Sequence, residues 1–276
     1  METMEIIKEA MKYPSNDLAK LAVYIALAIV AALLASFGFV FLSIGLASNS
    51  LWIFMGIILM AAGLVVGFII MGYQVSVIRS GIEHDEKAPE FNWKANLITG
   101  IKYLVLTIVY FIIPAIIVLI VAWATNLFGM AYAMMANIMA ASMAAPANTT
   151  ILIGDVVPQS LLVGFGTALM INGLIALILF LIFAFLQTMG QSRLAKTDDL
   201  RQSLNIPEAF RDIGRIGYGK VFAVVILIFV IIMVINLILI GLSNAVNGIA
   251  ILSIVVTPYL MFFASRATGL LYSDIA

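Results

Sequence analysis

The chain has 276 residues, of which 64% are hydrophobic and only 10% charged, against roughly 25% charged and 45–50% apolar in an ordinary soluble domain. A soluble fold cannot hide that much apolar surface. The net charge is zero, which offers no basic excess to nucleic acid, and the absence of cysteine excludes disulfides, thiolate catalysis and cysteine-ligated metals.

At the start of the chain Met4, Ile7 and Met11 recur at helical spacing, with Glu5, Lys8, Glu9 and Lys12 around them. This pattern predicts a short helix lying on the membrane surface, ended by Pro14. The apolar stretch that follows is too long for a secretory signal core, so the first span is expected to be retained. Residues 21 to 78 carry no charge and are broken only by Ser48-Asn49-Ser50. Since a helix needs about 20 apolar residues to cross the hydrocarbon core, this run holds two spans, about 20–46 and 51–78. Gly63 and Gly67 in the second are spaced to seat a neighbouring helix, of this chain more readily than of another.

In the loop beyond, Glu83-His84-Asp85-Glu86 superficially suggests metal ligands. Consecutive loop residues do not converge on an ion, and a solvated charge run is the expected state. After Pro89, Trp93, Leu97 and Ile101 at steps of four predict a second surface helix. The third span covers about 103–128. It holds Pro114, a candidate kink, and Asn126 near its outer end. Residues 129–160 are richer in Met, Ala, Asn and Thr and are expected to form an extracytoplasmic loop, in which Asn148-Thr149-Thr150 is a candidate glycosylation sequon.

The fourth span, about 161–188, carries Asn172 and Gln187. In the loop after it, Pro207 can start a helix whose Phe210 and Ile213 share an apolar face against the bilayer, while Glu208, Arg211, Asp212 and Arg215 face water. Arg211 and Arg215 could then meet lipid headgroups or a partner. The glycines at 214, 217 and 219 follow no strand and do not make a dinucleotide fingerprint. The fifth span, about 221–243, carries Asn236, and the sixth, about 249–271, carries Pro258, a second candidate kink.

Six spans place all 14 basic residues on one face: Lys8 to Lys20, Arg79 to Lys102, Arg193 to Lys220, and Arg266. Lys and Arg in short loops stay cytoplasmic, so both ends of the chain are expected in the cytoplasm, and a seventh span is disfavoured because it would move the Arg193 to Lys220 group outside. The fold expected is therefore all-α: a polytopic six-helix membrane domain over 1–276, with short interfacial helices on the cytoplasmic side. Sliding the chain along itself lays Met71-Gly72 on Met189-Gly190, Pro89-Glu90 on Pro207-Glu208 and Lys102 on Lys220. Together with Arg79, Arg193 and Arg266 at the ends of even-numbered spans, this suggests a parallel repeat.

Several strings carry a family pattern. They are Lys12-Tyr13-Pro14, Gly72-Tyr73 through Val77-Ile78-Arg79, Pro89-Glu90-Phe91 with Trp93, Gly100-Ile101-Lys102 and Tyr110 through Pro114-Ala115. Ile216-Gly217-Tyr218-Gly219-Lys220 and Pro258-Tyr259-Leu260 with Ala264, Arg266, Ala267, Gly269-Leu270 and Tyr272 complete the set. In order and spacing, over nearly the whole chain, the sequence resembles an archaeal integral-membrane family catalogued as the domain of unknown function four-zero-one-three. The resemblance implies a multi-span archaeal membrane protein and no particular activity.

The spans contain no Asp, Glu, Lys or Arg at mid-membrane depth, which counts against an ion-coupled carrier. They also lack the paired acids, His cluster or activated nucleophile an intramembrane enzyme needs, so neither enzyme activity nor a cofactor is expected. What remains is Asn126, Asn172, Asn236 and Gln187, which serve either interhelical contacts or a polar path. Two functions stay open. One is a non-enzymatic component of the cell membrane that packs against lipid, other membrane proteins or further copies of itself. The other is an uncoupled channel or permease for a small neutral solute.

Overall fold

The computed structural model describes residues 1–48, 51–146, 152–245 and 249–276. Among them there are helices and no strand, as a chain must arrange itself where lipid offers no hydrogen bonds. The helices are α1 (Thr3–Asn16), α2 (Leu18–Ser48), α3 (Trp52–Ile82), α4 (Trp93–Ala124), α5 (Leu127–Ala144) and α6 (Ile153–Val156). They continue as α7 (Gln159–Thr197), α8 (Leu200–Ser203), α9 (Ile206–Ile216), α10 (Tyr218–Ala245) and α11 (Ser253–Tyr272).

Seven of the described helices, α2, α3, α4, α5, α7, α10 and α11, are long and apolar enough to cross a membrane. Six were expected, and the addition is α5, in the stretch read as an outer loop. That reading is corrected: residues 127–144 are helical, because Met and Ala are strong helix formers and nothing in the stretch breaks the helix. The 18 residues of α5 rise about 27 Å, slightly less than the hydrocarbon core of roughly 30 Å. A second correction concerns the surface helix expected after Pro89. Trp93, Leu97 and Ile101 are the opening turns of α4, which runs unbroken to Ala124, and residues 83–92 contain no helix. Pro14, expected to end α1, lies inside it, two residues before its end, and Pro114 and Pro258 lie inside α4 and α11. The turn at Asn49 and Ser50, the sequon at Asn148, and Asn247 with Gly248 fall outside the described residues.

The chain divides into two compact units, residues 1–108 with 185–276, and residues 109–184. In the first, α2 lies along α3, and α11 packs on α3, α1, α2 and α10. Glycine lets the backbones approach. A Cβ on Gly56 would meet the backbone of Leu42 in α2, and one on Gly72 or Gly100 would run into the carbonyl of Asn96 or Phe68 across the α3–α4 contact. Gly81 and Gly269 bring α3 and α11 together in the same way. Gly63 does seat α2, since a Cβ there would lie 3.3 Å from Ala35 N, whereas the space at Gly67 is open.

In the second unit Asn172 of α7 donates to Thr125 Oγ1 (2.8 Å) and to its own helix at Ala168 O (2.8 Å). Phe111 stacks on Phe180 with ring centroids 5.7 Å apart. α4 gives way to α5 at Asn126, whose φ of 52° is left-handed, a conformation asparagine tolerates better than most residues. No residue of α5 is buried.

Candidate functional site

The charged side chains of the first unit collect at one end, where α1, the 83–92 segment, the 198–217 segment and the last turns of α11 meet. Lys102 at the start of α4 donates to Asp198 beyond the end of α7, with Nζ 2.7 Å from the carbonyl and 3.0 Å from the carboxylate. The terminal amine of Met1 lies 3.3 Å from Asp274, which also pairs with Lys220. Lys20 pairs with Glu90.

Three arginines tie this end together, each from the last turns of a helix. Arg79 of α3 donates through Nε to Ala195 O in α7 (2.6 Å). Arg193 of α7 donates through Nη1 to Asp212 of α9 (2.7 Å), and Tyr272 of α11 donates to the same carboxylate oxygen (3.1 Å). Arg266 of α11 donates through Nη1 to Ser80 O and Asp85 O (2.6 and 2.7 Å) at the end of α3, and through Nη2 to Glu9 of α1 (2.7 Å). The circuit runs from α3 to α7, to α11 through Asp212, and back to α3. Arg79 and Arg266 place cations on carbonyls near a neighbour's C-terminus, where the helix partial charge is negative.

Arg266 is only 2% exposed, and its guanidinium carbon lies 4.5 Å from the centre of the Tyr13 ring. Its Nε has no partner among the described residues. Tyr13 OH lies 2.7 Å from Ser80 Oγ and donates to Lys87 O at 3.2 Å, which fixes the 80–87 turn against α1. Burial raises the Tyr13 phenol above its ordinary value of 10.0; the Ser80 hydrogen bond and the Arg266 charge only partly offset this. Deeper in, Tyr73 donates to Pro89 O (2.9 Å) and stacks on Phe91, and Tyr24 meets Phe262 edge to face at 5.1 Å. Above Arg266 opens a cleft of about 680 Å³, lined by Glu9, Lys12, Tyr13, Asn16, His84, Glu86, Lys87 and Arg266.

Residues 55–243 match the model of a family described as "Protein of unknown function (DUF4013)". The chain belongs to the DUF4013 family. No curated protein and no solved structure matches it. The family match leaves out α1, α2 and α11, so Tyr13 and Arg266 belong to the part of this DUF4013 chain beyond the matched residues.

The residues singled out from the sequence are distributed over both units. Gln187 donates to Thr107 Oγ1 (3.0 Å) in the first, and Asn236 there bonds its own helix at Ile232 O (2.8 Å). Asn172 bonds Thr125 in the second unit, and Asn126 there sits exposed at the α4–α5 break. Instead, Gln74, Tyr103, Gln191, Ser265 and Thr268 surround a cavity of about 110 Å³ among α3, α4, α7 and α11, with Gln191 donating to Tyr103 OH (2.9 Å).

In α9, Asn205 caps the first turn by accepting from Glu208 N (3.2 Å), and the helix stops at Gly217 with φ 106°. Ile213 is buried at 5% exposure, whereas Phe210 is 54% exposed and rests beside the Tyr218 ring at 6.0 Å. The expectation that Asp212 faces water is corrected: it is 1% exposed and holds Arg193, Arg215 and Tyr272. An acid on a helix face reads as solvated unless its cationic partner, here 19 residues earlier in sequence, is known to lie opposite. Arg211 and Arg215 remain exposed, Arg211 paired with Glu208.

Proposed function

We propose that this DUF4013 protein crosses the cell membrane six times with both ends of the chain in the cytoplasm, and that it acts by binding lipid or a partner protein at that cytoplasmic end, not by catalysis. The observation that carries the reading is the arginine circuit, which commits the buried charge to holding helix ends together. The Lys102–Asp198 and Arg79–Ala195 bonds join the start of α4 to the end of α7, which supports a chain that leaves and returns on the same side between them. An even number of crossings satisfies that return, with α4 and α7 crossing and α5 staying at the outer face. The positive-inside bias then assigns the arginine end to the cytoplasm.

One observation favours a second reading, a permease for a small neutral solute. The 110 Å³ cavity has polar walls and room for about three waters at roughly 30 Å³ each. Glycerol and urea flux into proteoliposomes separates the two. Flux no faster than in protein-free vesicles supports the binding reading, and flux abolished by Gln191→Leu would replace it with the permease.

A further inference from the structure

We propose that the cleft between α1 and the 83–88 turn binds a phosphate-bearing anion, presented as the headgroup of an anionic lipid. This deepens the binding reading above and rests on it.

The first unit holds eight lysines, and among the described residues Lys8, Lys94 and Lys196 have no carboxylate partner and do not line the cleft. Lys20, Lys102 and Lys220 each hold a carboxylate. Lys12 and Lys87 have no such partner among the described residues, and both line the cleft, one from α1 and one from the turn that Tyr13 and Arg266 fix in place. Two free ammonium groups brought to one cavity by separate elements repel each other unless an anion lies between them. Of the two acids in the wall, Glu9 is bonded to Arg266, which leaves the Glu86 carboxylate facing Lys12 and Lys87, a balance of two acidic against three basic groups with His84 beside them and a net positive charge for an anion to meet. Arg266 serves as the floor. Its guanidinium holds the turn, so the ligand-facing charge comes from the lysines, with Asn16 and His84 as hydrogen-bonding groups.

Location argues for a lipid as the source. Asn16 lines the cleft two residues before Leu18, an exposed apolar residue that opens α2. The cleft therefore lies where the first span enters the bilayer, at the depth of lipid phosphates. Its volume of about 680 Å³ is that of a small-molecule site.

Native mass spectrometry of the full-length protein, with phosphatidylglycerol or phosphatidylcholine added to the detergent, tests the site. Retention of phosphatidylglycerol should exceed that of phosphatidylcholine and fall roughly tenfold or more in Lys12→Gln/Lys87→Gln, since each basic group near an anionic headgroup contributes severalfold. Lys8→Gln/Lys94→Gln removes the same charge elsewhere and should leave retention unchanged. A thermal shift with glycerol 1-phosphate that needs Lys12 and Lys87, without lipid preference, upholds the anion site and assigns it a soluble ligand. Equal retention of the two lipids without that shift, or equal loss in both double variants, overturns the site. Solute flux would sink the binding reading and leave these titrations standing, so the two failures are distinguishable.

Discussion

Arg266 is a buried cation whose partners come from two distant parts of the chain, α1 and the 80–85 segment. Removing it strips donors from Ser80 O and Asp85 O while water can solvate the half-buried Glu9, and a buried acceptor left without its donor costs about 1–3 kcal/mol. Arg266→Gln should therefore lower the melting temperature in detergent by many degrees. Arg266→Lys should recover little, because one ammonium cannot reproduce the planar fork that serves three acceptors. Tyr13 adds a pH dependence of defined sign. Its folded pKa lies above the unfolded value of 10.0, so its contribution is fully present below pH 10 and is lost as pH rises through the folded value. The stability of the native protein relative to Tyr13→Phe should be flat from pH 7 to 9.5 and decline above that in thermal melts. Some of this was legible in the sequence: Arg266 and Tyr13 both stand in the strings that carried the family resemblance. What stayed hidden is their meeting, because no local spacing relates positions so far apart. In the sequence His84 is one member of a charged run, and the cleft it lines exists only once α1 folds over the turn.

Helices were the more legible scale, since a long uncharged apolar run has one outcome in lipid. The close helix contacts could not be read the same way. Gly63 and Gly67 have the spacing of a packing pair, yet only Gly63 touches a neighbour, whereas Gly269 was unremarked as a contact and a Cβ there would collide with Ile78 O. Gly269→Ala should cost about 1–3 kcal/mol by pushing α11 off α3, and Gly67→Ala should be neutral or stabilise by up to about 1 kcal/mol through helix propensity. Melting curves of the two variants check the contrast. In α9 the apolar pair divides in two. Ile213→Ser should speed hydrogen exchange over residues 206–216, because Ile213 packs on its own protein, and Phe210→Ser should leave that exchange near the native rate. Asp212 had the pattern of a water-facing acid, and pattern alone cannot reveal that Arg193 and Tyr272 wait across the gap.

For the molecule as a whole, helix length and the placement of basic residues give different counts of crossings. Among the described residues, counting apolar helices gives seven, whereas the basic residues favour six, and the difference is α5 alone. Its methionine- and alanine-rich sequence lacks the strong aliphatic character of its neighbours and so resembles a loop, yet the same residues favour helix once anything orders the backbone. The chain's lack of native cysteine allows single cysteines at Ser48, Ser142, Glu83 and Arg201, all exposed, to be tested one by one with an impermeant thiol reagent on intact cells. With six crossings, Ser48→Cys and Ser142→Cys should react, while Glu83→Cys and Arg201→Cys react only after permeabilisation. Reaction at Arg201→Cys together with protection at Ser142→Cys in intact cells would make α5 a seventh crossing and contradict the six-span account.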